Sequence, residues 1–148
     1  MKAMRFHEFG DADVLRYEDV DVPIPGPGEV RIRVAGTSFN SVDGNIRAGV
    51  MQGPIPVVLP HTPGLDVAGT VDALGDDVSN VTVGDKVIGF LPMNANGASA
   101  EFVLAPADIL AAAPSTTPWL MPPRCRWSVS RPGRRCSITP TSSPVSAF

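Results

Sequence analysis

Glu29-Val30-Arg31-Ile32-Arg33-Val34 alternates charged and apolar side chains without a break, and that period of two restricts the fold more than any other feature of the chain. Successive side chains of a strand point to opposite faces, so such a segment buries one face and wets the other. Comparable short runs occur at Lys2–Phe6, Leu15–Val20, Val67–Leu74, Lys86–Phe90 and Ala100–Leu104. Turn formers separate them at Pro23–Gly28, Gly75-Asp76-Asp77, Val83-Gly84-Asp85 and Asn94–Gly97. Many short strands at this spacing predict a mainly β domain, a small barrel or sandwich. One short helix is expected at Ser41–Arg47, with Asn40 or Ser41 able to accept a hydrogen bond from the orphan N–H groups of its first turn.

The pattern stops at Thr117–Pro118. Residues 1–117 carry seven Lys and Arg against fifteen Asp and Glu, whereas 118–148 carry five Arg, no acidic residue, both cysteines and both tryptophans. A segment of Arg, Pro, Ser, Trp and Cys without period suits a basic arm or a disordered linker. It also has the composition of a GC-rich coding sequence read out of frame. Sliding the frame one base upstream tests this. Met121–Pro122 is necessarily ATG-CCN, which gives GCC, alanine; Trp119–Leu120 gives alanine or valine; Ser137–Ile138 allows aspartate. With permitted codons throughout, the segment reads Leu-Ala-Asp-Ala-Ala-Ala-Leu-Pro-Val-Val-Gly-Leu-Thr-Ala-Trp-Gln-Ala-Leu-Phe-Asp-His-Ala-Asp-Leu-Lys-Pro-Gly-Gln-Arg-Val. That is an apolar helical pattern, a Lys-Pro-Gly turn and a strand start. The expectation is therefore one domain at 1–117 followed by an out-of-frame, disordered tail at 118–148.

No run of about 18 apolar residues offers a membrane span, and the alternating start Met1-Lys2-Ala3-Met4-Arg5-Phe6 lacks the core of a signal peptide. Residues 1–117 contain no cysteine, which fits a cytoplasmic protein. Cys125 and Cys136 lack zinc-site spacing and have no nearby His.

Five motifs then fall in a fixed order: Gly26-Pro27-Gly28-Glu29-Val30; Asn40-Ser41-Val42-Asp43 with Ile46-Arg47-Ala48-Gly49; Pro63-Gly64-Leu65-Asp66-Val67-Ala68-Gly69-Thr70-Val71; Gly84-Asp85-Lys86-Val87; and Ala100-Glu101-Phe102-Val103. Together they resemble the N-terminal GroES-like domain of the medium-chain dehydrogenase/reductase superfamily, and within it the zinc-independent quinone oxidoreductase (zeta-crystallin-like) branch. The resemblance covers 1–117, and the reframed tail is similar to the family's next segment. It implies a partly open β-barrel with short helices, here lacking the Rossmann domain. It also implies that a returning C-terminal segment completes the barrel, so that without it strand edges and apolar surface stay uncovered.

The zinc alcohol dehydrogenases of the superfamily place a Cys about where Asn40 stands and Gly-His-Glu where Gly64-Leu65-Asp66 stands. A catalytic zinc needs thiolate, imidazole or carboxylate donors around an open position, so the resemblance implies no metal. The implied chemistry is hydride transfer from NADPH to a quinone or enone, with the protein supplying orientation and hydrogen bonds. Asn40 is the implied amide contact to cofactor or substrate, Asp43 an orienting group behind it, and Thr62 a hydroxyl candidate for the cofactor. Each has a plainer reading: Asn40 as helix cap, Asp43 as partner of the helix's first turn, Thr62 as a loop residue. His61 is expected to be a solvated loop residue, Tyr17 and Arg47 surface or structural residues, and the glycines of 64–69 are expected to serve turns and close packing.

The dinucleotide fingerprint is a Gly-x-Gly-x-x-Gly turn between strand and helix. Gly26-x-Gly28 is not one, because Pro27 sits inside it and Arg31 occupies the third glycine position. The isolated chain is therefore expected to be poorly stable and without turnover. Two other classes compete: a stand-alone, non-catalytic β-barrel binding module, and nucleic-acid contact through the Arg- and Trp-bearing tail. No nucleic-acid partner is expected, because the five Arg lie among prolines with no basic face, and no membrane partner, because no apolar run is long enough to span one. Acceptor, oligomeric state and the choice of NADPH over NADH are left open by the sequence.

Overall fold

The computed structural model describes residues 1–114; the tail assigned to 118–148 lies outside the described residues. Seven strands and one α-helix follow in order: β1 (Lys2–Phe6), β2 (Leu15–Asp19), β3 (Glu29–Gly36), α1 (Ser41–Arg47), β4 (Asp66–Leu74), β5 (Lys86–Phe90), β6 (Phe102–Pro106) and β7 (Ala111–Ala112). Short 3-10 turns lie at Ala12–Val14 and Ala107–Ile109. β1 and β2 form an antiparallel ribbon, and the other five strands form an antiparallel sheet in the order β6-β3-β4-β5-β7. The ribbon joins the rest through single bridges, Ala3 to Ala100 and Phe6 to His61.

The alternation in β3 sorts its residues as expected, with Val30 and Ile32 fully buried and Arg33 exposed. These two pack with Val67, Val71, Val87, Leu91, Val103 and Ala105 into the main core. Each of the Val, Ile and Leu side chains among them contributes roughly 1.5–3 kcal/mol relative to leaving it in water. A second cluster of Phe6, Ile46 and Val57, flanked by Phe9, Val14, Val42 and Met51, packs α1 against β1. On the wet face of β3, Asp72 of β4 accepts hydrogen bonds from Arg31 (2.8 Å) and Arg33 (3.1 Å). Both guanidinium groups lie over the Phe102 ring, at 5.6 and 6.0 Å.

Two differences from the expected strands have clear causes. The run expected at Ala100–Leu104 is displaced to Phe102–Pro106, because Ala100 and Glu101 pair with β1 through Ala3 and Lys2 before the chain joins the ladder of β3. β7 carries no alternation at all; it exists because β5 offers Val87 and Ile88 a free edge to pair with Ala112 and Ala111. Apolar surface stays uncovered at Phe39, Ile88, Phe90 and Ile109. Among the described residues, no helix is long and apolar enough to cross a membrane.

The register of β3 with β4 decides where the polar residues meet. Gly36, at the end of β3, lies opposite Ala68, so the exit from β3 and the entry to β4 are side by side. A bulge between Val34 and Gly36 accompanies this approach. The loop from β3 into α1 thus runs past Asp66, the first residue of β4.

Candidate functional site

Asn40 is the N-cap residue of α1, with extended backbone (φ −98°, ψ 156°). Its side-chain amide Nδ2 donates to Asp66 Oδ2 at 3.0 Å. Ser38 Oγ donates to the same carboxylate oxygen, and Thr37 Oγ1 donates to the Asp66 backbone carbonyl at 2.8 Å. The result is a small polar corner in which Thr37 and Ser38 are exposed while Asn40 and Asp66 are half-buried. Beside it runs a shallow hollow of about 610 Å³ lined by Ser38, Asp66, Ile88, Phe90 and Ile109 among others.

Asp43 sits behind Asn40 and is only 2 % exposed. Its Oδ2 accepts the Asn40 backbone N–H at 2.7 Å, and its Oδ1 accepts the Gly64 N–H at 2.9 Å. One carboxylate therefore closes the first turn of α1 and straps it to the loop before β4. Gly64 holds a left-handed backbone there (φ +105°), where an L side chain is strained. A Cβ at this position would also lie 2.9 Å from Thr37 Oγ1 and Ser99 Oγ.

Thr62 belongs to the same loop. Its N–H donates to Asn96 Oδ1 (2.9 Å) and its carbonyl accepts from Gly97 N–H (2.7 Å). It lines a different hollow, of about 480 Å³, with Arg5, Asp21, Glu29 and Asn96. Of the three residues singled out by sequence, Asn40 and Asp43 are in direct contact, whereas Thr62 lies two residues before Gly64, which Asp43 grips, and lines a different hollow.

His61 departs from expectation: it is 3 % exposed, not solvated. Its backbone exchanges both hydrogen bonds with Phe6, each 2.9 Å long, and its ring meets the Phe6 ring edge-on at 5.3 Å. Burial pushes its pKa below the ordinary 6.5; the Asp43 carboxylate opposes this, and the Arg5 guanidinium adds to it. A buried imidazole that resists protonation binds fewer protons folded than unfolded, so stability is full above pH 6.5 and falls as pH drops below it. We expect the denaturation midpoint to fall between pH 7.5 and 5.5, and His61→Gln to reduce that fall. An unchanged pH dependence in a folded variant would contradict the assignment.

Asp66 is the functional candidate that sequence reasoning passed over. It stands one residue before the strand expected at Val67–Leu74, and it is the carboxylate on which Ser38 and Asn40 converge. Its place in Gly64-Leu65-Asp66, where a zinc enzyme has Gly-His-Glu, was the available signal. Tyr17 is 69 % exposed, and Arg47 donates to the Gly10 carbonyl at 2.7 Å, which leaves both outside this site. Among the described residues, no three His, Cys, Asp or Glu side chains gather into a metal-binding group.

Strand order, the β3–α1 corner and the glycine-bearing loop before β4 define the class of this domain. Residues 26–115 match the alcohol dehydrogenase GroES-like domain family, and the chain belongs to that family, within the medium-chain dehydrogenase/reductase superfamily. Its relatives include the quinone oxidoreductase of Sus scrofa, 41% identical over 109 residues (73% of this chain, 32% of that protein). The quinone oxidoreductase of Mus musculus is 40% identical over 117 residues (78% of this chain, 34% of that protein). Solved structures of like fold include the quinone oxidoreductase of Coxiella burnetii (TM-score 0.72, 31% identity, covering 81% of this chain and 39% of that one). Another is mycobacterial Rv1454c complexed with NADPH (TM-score 0.69, 37% identity, covering 80% and 35%). The chain spans about a third of the length of the curated relatives it matches.

Proposed function

We propose that this chain is the N-terminal domain of a zinc-independent, NADPH-dependent oxidoreductase that transfers a hydride to a quinone or enone, and that residues 118–148 are read out of frame. The polar corner carries this reading. Thr37, Ser38 and Asp66 line an apolar hollow, the Asn40 amide bonds to that Asp66, and the neighbouring position that would hold a zinc-binding His is Leu65, which is 2 % exposed and part of the core.

The exposed hydroxyls of Thr37 and Ser38 and the half-exposed Asn40 amide fit the carboxamide end of a nicotinamide, which both donates and accepts hydrogen bonds. When bound, NADPH supplies the hydride. Asn40 would hold the ring or the acceptor oxygen in register. Asp43 would keep Asn40 at the helix start, because its carboxylate grips the Asn40 N–H and the Gly64 N–H together. The apolar walls at Ile88, Phe90 and Ile109 would exclude water from a flat acceptor. Thr62, on its own hollow, would reach cofactor only if that hollow joined the site in a longer chain.

The test is NADPH oxidation in the presence of a quinone, followed for the 148-residue chain and for a chain whose upstream-shifted frame is restored after Thr117. We expect no turnover from the first, whose sequence contains no Gly-x-Gly-x-x-Gly loop, and turnover from the second. Asn40→Ala in the restored chain should lower kcat/KM roughly tenfold or more, at least about 1.4 kcal/mol of transition-state stabilisation. Family-like rates from the 148-residue chain, or an inert restored chain, would overturn the proposal.

A further inference from the structure

The structure assigns Asp66 as the positioning residue that fixes the direction of the Asn40 amide, an inference that rests on the functional reading of Asn40 above. Asn40 carries two rotatable side-chain torsions and, on a half-exposed helix cap, would otherwise sample several orientations. A hydrogen bond from Nδ2 to a carboxylate oxygen, here at 3.0 Å, is charge-assisted and roughly twice as strong as a neutral one. The Asp66 carboxylate is itself held, because Ser38 Oγ donates to the same oxygen, Oδ2, and Thr37 Oγ1 donates to the Asp66 carbonyl. Its backbone is fixed as well: Asp66 opens β4 opposite Phe90 of β5, and the preceding Leu65 carbonyl accepts the Leu91 N–H at 2.6 Å.

The consequence is specific. With one N–H of the amide committed to Asp66, the Asn40 side chain cannot flip end for end without breaking that bond. The carbonyl, which faces the Asp43 backbone N–H in the capping box, and the second N–H are then held in one fixed arrangement. The Asp43 carboxylate does not do this, because its two oxygens grip backbone N–H groups and set where the Asn40 backbone lies, while the Asp43 backbone N–H faces the Asn40 side chain in a capping box. The two acidic residues divide the work: Asp43 places the residue, and Asp66 aims its side chain. Pre-aimed hydrogen-bonding groups of this kind need no reorganisation when a ligand arrives.

Side-chain 15N relaxation of the Asn40 Nδ2 group in the 148-residue chain tests this. We expect an order parameter near the rigid-backbone value of about 0.85 in the wild type and below about 0.6 in Asp66→Ala, with backbone amide shifts outside the corner unchanged. Asp66→Glu should recover most of the lost order, and Ser38→Ala should leave the Asn40 value above that of Asp66→Ala. An Asn40 value below about 0.6 in the wild type, or one that stays high in a folded Asp66→Ala, overturns the assignment. Should Asp66→Ala fail to fold, the wild-type value and the presence or absence of a through-hydrogen-bond coupling from Asn40 Nδ2 to the Asp66 carboxyl carbon decide the matter. None of these readouts needs cofactor or turnover. A chain without oxidoreductase function leaves the result intact, and a mobile Asn40 amide overturns the positioning role while the family reading stands.

Discussion

Replacing Asp43 by Ala should cost the domain about 3–5 kcal/mol, a large part of the 5–15 kcal/mol that holds a typical domain folded. The side chain is 2 % exposed and accepts two backbone N–H groups from segments far apart in sequence, Asn40 at 2.7 Å and Gly64 at 2.9 Å. Removing it leaves both donors facing a void. Each charged hydrogen bond lost in this way is worth roughly 1.5–3 kcal/mol, and the buried Gly64 N–H adds a desolvation penalty. Asp43→Asn should cost less than Ala but still clearly destabilise, because one end of the amide is an NH2 that would meet a donor. Chemical denaturation followed by far-UV circular dichroism measures both. A loss below about 1 kcal/mol in Asp43→Ala would mean that water replaces the carboxylate and that the strap between α1 and the loop is weak.

Gly69→Ala is expected to be as damaging, for a different reason. Gly69 lies in the middle of β4 and pairs with Val34 of β3 and Val87 of β5. A Cβ there would run into the Arg33 carbonyl oxygen and the Ile32 side chain, both part of β3. Backbone is the obstacle, so no rotamer change relieves it and the two strands must move apart. Overpacking of this kind costs about 3 kcal/mol or more where the neighbour cannot give. Gly36→Ala is the matched control, since a Cβ at Gly36 meets nothing within 4 Å and the residue is exposed at the end of β3. It should stay within about 0.5 kcal/mol of wild type. Equal losses in the two variants would argue against the β3–β4 register.

These effects show which parts of the fold a sequence reader can see. β1, α1 and β5 have the bounds that alternation and turn formers indicate, because local pattern and tertiary burial agree there. The glycines of 64–69 were read as serving turns and close packing, and Gly64 and Gly69 do so. β6 is displaced by two residues because Ala100 bridges to Ala3 and the Glu101 N–H donates to the Lys2 carbonyl of β1, a partner about a hundred residues away that local pattern cannot reveal. β7 has no pattern to read, since two alanines form a strand only where a neighbour has a free edge.

The site was legible to a similar degree. Asn40 and Asp43 stand out because a cap and an acidic third position mark the start of a helix, and the structure puts them in contact. His61 was misread because its burial comes from the ring of Phe6 on β1, which no pattern around residue 61 records. Asp66 was missed because its partners, Ser38 and Asn40, reach it only through the β3–β4 register.

We propose that this domain opens a longer oxidoreductase chain whose reading frame is displaced after Thr117. The most direct test is the nucleotide sequence from the codon of Ala105 to well past that of Phe148, read one base upstream. We expect this frame to stay open and to run into a glycine-rich dinucleotide loop between a strand and a helix. Stop codons in that frame soon after the codon of Thr117 would contradict it, make 118–148 native sequence, and leave the domain to be explained as a stand-alone β module.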